Sequence, residues 1–255
     1  MRRIRPIPHE AQVSLVDHLD ELRARIVVSL AVFGVALALC FWQNHLLLEV
    51  ANAALPASHK KLITFGITEP FTTTVTVSAY GAIILSLPII LYEFYAYLLP
   101  AFSKQQRRAI VPLLLMIPAL FIAGVAFGYF VVLPAATKFL LNFNDIQFNI
   151  QVQAKQYYGF FAQTLLACGV VFQVPVAILA MVRLGIVKIE QLTENRRNAY
   201  LACAVIAAAL PGVDPVSMLL ETAPLIALYE ISIVLARVFG QPRQAALFDA
   251  PSEQA

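Results

Sequence analysis

The sequence predicts an all-α polytopic membrane protein with six transmembrane helices, and three observations carry that prediction. Hydrophobic residues make up 60% of the 255 and charged residues only 13%, about half the charged share of an ordinary globular chain. The charges cluster, which leaves uncharged apolar runs long enough to cross a bilayer. Lys and Arg fall mostly in alternate loops, the pattern of a chain threaded back and forth through a membrane. The net charge of +3 gives no hint of nucleic-acid binding in such a chain; the placement of the charges is the useful observation. Cys40, Cys168 and Cys203 each lie inside an apolar run without paired spacing. They read as small buried hydrophobes, not as ligands or a disulfide framework.

Residues 1–16 read as a basic arm with Arg2, Arg3 and Arg5, residues 17–239 as the membrane domain, and 240–255 as a polar tail. The first apolar run lacks the small-residue site of a cleaved leader and is expected to stay in the chain. The stretch from Asp17 to Arg25 reads as a helix that begins in water and continues into lipid. Leu15, Leu19, Leu22 and Ile26 share one face, while Asp17, Asp20 and Glu21 gather on another. Arg23 and Arg25 are expected to snorkel toward phosphate at the membrane edge. The first span covers 26–43 and ends near Trp42, an interfacial aromatic.

Residues 44–74 form an extramembrane loop long enough for short helices, with Pro56, Lys60, Lys61, Glu69 and Pro70. The second span, 75–99, contains Pro88, which removes a backbone bond and bends the helix. Lys104 to Arg108 is a short polar turn. The third span runs 109–132, and 133–157 is a second longer loop. The fourth span, 158–182, contains Gln173 and Pro175. After a polar loop, Asn198–Leu210 is too short to cross a core of about 30 Å unaided. Pro211 to Pro215 makes a tight turn, and a last helix covers 216–239.

Six spans put both ends on one side. The N-terminal arm, the loop near 101–109, the loop 183–197 and the C-terminal end carry 5, 3, 4 and 2 of the 18 Lys and Arg residues, against 2, 2 and 0 in the three opposite loops. The positive-inside rule therefore makes both termini cytoplasmic, or stromal in an organelle. Glu93 and Glu230 then lie about 10 Å from the cytoplasmic edge, where hydrogen bonding within the bundle is favoured over a site role. Glu221, near the outer end of the last helix, is expected to meet water.

Several stretches together resemble the TatC family, the large core subunit of the twin-arginine protein translocase. They are His18-Leu19-Asp20-Glu21-Leu22-Arg23, Leu87-Pro88-Ile89-Ile90-Leu91-Tyr92 leading to Pro100, and Lys104 to Arg108. Phe127-Gly128-Tyr129-Phe130-Val131-Val132-Leu133-Pro134, Phe172-Gln173-Val174-Pro175-Val176 and the Pro211 to Pro215 turn complete the set. The resemblance covers about residues 14–239. It implies a curved, glove-like bundle of six helices, the last two short, in the cytoplasmic (inner) membrane. It also implies binding of twin-arginine signal peptides and assembly with single-span TatA/TatB-type membrane subunits to export folded proteins, with a homo-oligomer in the working complex.

A receptor for two guanidinium groups needs acceptors that take forked hydrogen bonds at a partly desolvated rim. Glu21 supplies a carboxylate, and the resemblance picks it as the main signal-peptide contact, with Asp20 and Arg23 beside it. Gln106 stands where the family carries a glutamate before an arginine pair, so it offers a neutral acceptor. The resemblance also points to Gln173, Asp214 and Glu230 as partner-helix contacts. For Asp214, capping of the last helix is an equal reading. Gln173, near the midplane, has two: an internal bond to the Val171 carbonyl freed by Pro175, or a polar socket for a partner helix. No cofactor, metal or catalytic group is expected. An ion-coupled small-solute transporter using Glu93, Glu221 and Glu230 would call for two related halves, and no repeat is visible. An intramembrane enzyme lacks material, since no H-E-x-x-H occurs and His9, His18, His45 and His59 lie outside the apolar segments.

Overall fold

The computed structural model describes residues 15–56, 61–98, 104–148, 150–183, 186–210 and 215–239. Among the described residues the regular elements are all helices, with one isolated extended pairing between Ile63 and Gln153. Helix α1 (Leu15–Trp42) runs unbroken through the charged stretch into the first apolar run. It pairs antiparallel with α3 (Glu69–Leu98). Arg25 meets Glu93 at one end, and the Ser78 hydroxyl donates to the Cys40 carbonyl (3.5 Å) at the other. Ala36, Cys40 and Ala82 form the buried seam between them, small side chains that let the helices approach closely. Pro88 sits inside α3 without ending it.

The loop expected at 44–74 holds α2 (Asn44–Ala53) and the first residues of α3. Here the chain is tied to α6 (Ala154–Val171). The Tyr157 hydroxyl donates to the Ala51 carbonyl (2.6 Å) and Tyr158 to Asn52 Oδ1 (2.9 Å). The Ile63 amide donates to the Val152 carbonyl, and the Ala154 amide to that of Ile63. Glu69 fastens the same corner, accepting from the Phe65 amide (2.8 Å) and from Gln153 Nε2 (2.8 Å). Polar backbone that has lost its helix is thus paired locally instead of being left bare.

The third helix differs most from expectation. Helix α4 (Lys104–Phe127) passes through a π-helical turn (Gly128–Val132) into α5 (Leu133–Asn142), so 133–142 is helix and not loop. Pro134 occupies the first turn of α5, a position that suits its fixed φ. The Leu133 amide bonds five residues back to the Gly128 carbonyl, and this wider turn accommodates the ring.

The fourth crossing breaks at Phe172–Gln173 into α6 and α7 (Val174–Arg183), just before Pro175. A short α8 (Ile189–Glu194) leads to α9 (Arg196–Ala209) and α10 (Pro215–Phe239). The main core lies where α7 and α10 meet α4 and α9, around Ile117, Val176, Leu179, Leu225 and Ile233. Cys40, Cys168 and Cys203 are buried and unlinked, as their apolar settings imply. Among the described residues, five helical stretches are long and apolar enough to cross a membrane: His18–Trp42, Glu69–Tyr97, Met116–Asn142, Ala154–Arg183 and Pro215–Val238. The 14 residues of α9 rise only about 21 Å.

Candidate functional site

The site is built from one helical repeat and one crossing. Glu21 and Arg25 stand four residues apart on α1, a spacing that places a carboxylate over a cation on one face. Arg25 Nη2 donates to Glu21 Oε1 at 2.6 Å and Nε to the same oxygen at 3.1 Å. The third corner comes from α3, where Arg25 Nη1 donates to Glu93 Oε2 (2.7 Å) and more distantly to the Glu93 carbonyl (3.4 Å). The side chains of Arg25, Glu21 and Glu93 keep 24%, 34% and 21% of their exposure. Among the described residues, Glu21 Oε2 and Glu93 Oε1 accept no hydrogen bond. His18, one turn before Glu21, stacks on Tyr97, one turn after Glu93, with ring centroids 4.4 Å apart. Below the cluster a groove of about 370 Å³ runs between α1 and α3, lined by Leu22, Ile26, Leu30, Phe33, Ile90 and Phe94.

This arrangement corrects one expectation. Arg25 does not snorkel outward; two carboxylates within reach hold it between the helices, and only Arg23 stays exposed with Asp20. Gln106 stands in the first turn of α4, and its side chain lies outside the described residues, as do Asp214 and the side chain of Asp17. Glu93 does what its depth implies and bonds within the bundle. So does Glu230, which takes the Tyr200 hydroxyl at 2.6 Å and Arg196 Nη2 at 3.1 Å, clasping α9 to α10.

Gln173 is 7% exposed. Its Nε2 donates to the Ile117 carbonyl (3.2 Å) on α4, while Oε1 has no hydrogen-bond partner among the described residues. The internal bond therefore exists, but not to Val171. The break at Phe172–Gln173 turns the side chain across to the neighbouring helix. Glu221 is also corrected, being buried and not water-facing. It lies on the stripe Ser217, Glu221, Leu225, Ser232 and Ala236, the face of α10 that packs inward. No group of three or more His, Cys, Asp or Glu able to hold a metal occurs among the described residues.

The sequence profile described as Sec-independent protein translocase protein (TatC) matches residues 17–224, from the first turn of α1 to the middle of α10. The chain belongs to the TatC family. It is 34% identical to the Sec-independent protein translocase protein TatC of Desulforapulum autotrophicum, over 92% of this chain and 88% of that one. The TatC of Carboxydothermus hydrogenoformans is 33% identical, over 91% and 96%. The crystal structure of the twin-arginine translocase receptor TatC in DDM superposes with a TM-score of 0.76 at 32% identity, covering 88% of this chain and all of that one. The chain is accordingly a membrane subunit of a protein translocase and not an enzyme.

Sequence reasoning placed Glu21 but missed its partners. The Glu21–Arg25 spacing was a visible signal for the intrahelical half. The bond to Glu93 and the His18–Tyr97 stack depend on the register of α1 against α3, which no local pattern records.

Proposed function

We propose that this protein is the receptor core of a twin-arginine translocase, binding paired-arginine signal peptides at the cytoplasmic end of α1 and assembling with single-span TatA/TatB-type subunits to export folded proteins. The observation that carries the reading is the Glu21 carboxylate. It already grips one guanidinium, remains a third exposed, and among the described residues keeps one oxygen unpaired, beside a groove that its partner Arg25 lines. Asp20 and Arg23 shape the local potential, and Gln106 adds a neutral acceptor from the start of α4. In this reading all six crossings, the short α9 among them, form a curved glove in the cytoplasmic membrane, with both termini inside. Gln173, Asp214 and Glu230 are contacts for partner helices, and the working complex holds several copies. Glu230 enters that role through the α9–α10 clasp it already makes.

The test is photocrosslinking of a paired-arginine signal peptide to the inserted protein. Glu21→Ala is expected to lower crosslinking by about tenfold, the loss of one charge-assisted bond, without changing the melting profile. Gln106→Glu should hold or raise the signal. Parent-level crosslinking by Glu21→Ala would remove the assignment.

A further inference from the structure

We propose that Glu93 is the second carboxylate of the receptor, and that Arg25 is a resident guanidinium which the incoming signal peptide displaces. The proposal rests on the receptor reading above and adds a residue and an exchange to it. Its starting point is geometric. A single guanidinium fork reaches two carboxylates that lie 68 residues apart in sequence, at 2.6 and 2.7 Å. Two acids on different helices are therefore already spaced to share forked donors, the arrangement an arginine pair requires.

Charge gives the second argument. Among the described residues, Glu21 and Glu93 face Arg25 alone at these distances, so this cluster holds two acids and one base. One oxygen of each carboxylate accepts nothing from the described residues. A ligand with two guanidinium groups satisfies both acids fully only if Arg25 leaves. Its flexible stem and partial exposure permit that departure toward water and lipid phosphate. Glutamine at 106 cannot supply a second charge, and Glu230 is occupied by Arg196 and Tyr200.

The groove under the cluster supplies the third argument. Its walls are mostly apolar, with Leu22, Ile26, Leu30 and Phe33 on α1 and Ile90 and Phe94 on α3, and it is also lined by Arg25 and Glu93 of the cluster. That matches a segment with a cationic head and an apolar body, which is the chemistry of an arginine pair followed by an apolar run. Arg25 in this view also sets a threshold. A peptide with a single cation competes with the resident guanidinium on equal terms, and a paired one wins.

The experiment measures binding of four fluorescent signal peptides to the full-length protein in detergent: Arg-Arg, Arg-Gln, Gln-Arg and Gln-Gln at the pair. The parent is expected to prefer Arg-Arg. Glu93→Gln should weaken Arg-Arg binding about tenfold or more, yet change binding less than about twofold for the single-arginine peptide lacking the arginine that faces Glu93. Glu93→Asp should recover part of the loss, and it serves if the glutamine variant does not fold. Arg25→Gln should bind Arg-Arg several-fold tighter while narrowing the gap to the single-arginine peptides. An equal loss for all four peptides in Glu93→Gln would mean that Glu93 merely props α1 on α3, and no loss would mean it is idle; either overturns the proposal. Weaker Arg-Arg binding by a folded Arg25→Gln protein would overturn the displacement. A parent that treats Arg-Arg and Gln-Gln alike would instead defeat the receptor reading itself, and this proposal with it.

Discussion

The first and fourth crossings use similar apolar material in opposite ways. In the most apolar stretch of His18–Trp42, 11% of residues are buried; in that of Ala154–Arg183, 61% are. Helix α1 touches the molecule mainly through α3 and leaves Leu30, Val35 and Leu39 uncovered. Helices α6 and α7 pack against α3, α4 and α10 and contribute to both large hydrophobic clusters. Hydropathy cannot tell these roles apart, because lipid is as good a solvent for leucine as a protein core is. What separates them is side-chain size at the crossings. A helix that must approach several neighbours carries glycines where they meet, and a helix that faces lipid does not need them.

The largest effect should come from breaking that packing. A Cβ at Gly124 would lie 2.5 Å from the Cys168 carbonyl and 2.8 Å from Phe172 Cβ, and one at Gly169 would lie 2.6 Å from the Phe121 ring. Gly34 on α1 has nothing within 4 Å of the same position. Gly124→Val is expected to cost about 3 kcal/mol or more by forcing α4 and α6 apart. Gly34→Ala should be neutral or mildly stabilising through helix propensity. Thermal unfolding in detergent, followed by size-exclusion recovery, measures both. A Gly124→Val protein that melts with the parent would mean that the α4–α6 contact is not the hub.

A smaller effect is expected at the outer corner, where α6 holds α2. Tyr157→Phe removes the hydroxyl that donates to the Ala51 carbonyl. That carbonyl also accepts from the Ala54 amide, so the loss should stay near 1 kcal/mol. Hydrogen exchange should quicken in α2 and leave α10 unchanged. Faster exchange throughout the chain would show instead that the corner is coupled to the main core.

The same contrast explains what the sequence made legible. Helix α1 could be read almost to its ends, because its pattern answers to water, lipid edge and lipid in turn, and those are one-dimensional. The shortness of α9 was equally plain, since length is a property of the sequence. The buried face of α10 was not, and Glu221 was assigned to water because its stripe is set by packing against other helices. The loop expected at 133–157 failed for a related reason, since the π-turn that carries the third crossing on into α5 leaves no local hydropathy signal. At the site, the acidic face of α1 was visible and its closure by Glu93 was not, since that closure is a matter of interhelical register.

Gln173 should show the smallest change in stability and sharpens the comparison most, because it is a polar residue inside the best-packed crossing. Its amide nitrogen is satisfied by the Ile117 carbonyl, while its oxygen is buried without a partner. Replacing it by leucine removes one interhelical bond, worth about 0.6 to 2 kcal/mol in a membrane protein. The same change removes a buried acceptor that has no donor, whose burial costs about 1 to 3 kcal/mol. The two nearly cancel, so Gln173→Leu should melt within about 1 kcal/mol of the parent. If the open oxygen is a socket for a partner helix, the variant should nevertheless lose crosslinking to the single-span subunit and lose export, while keeping signal-peptide binding. That dissociation of partner binding from stability is the decisive reading. A leucine variant that melts early, while its folded fraction still recruits the partner, would assign Gln173 wholly to the α4 contact and remove it from the interface.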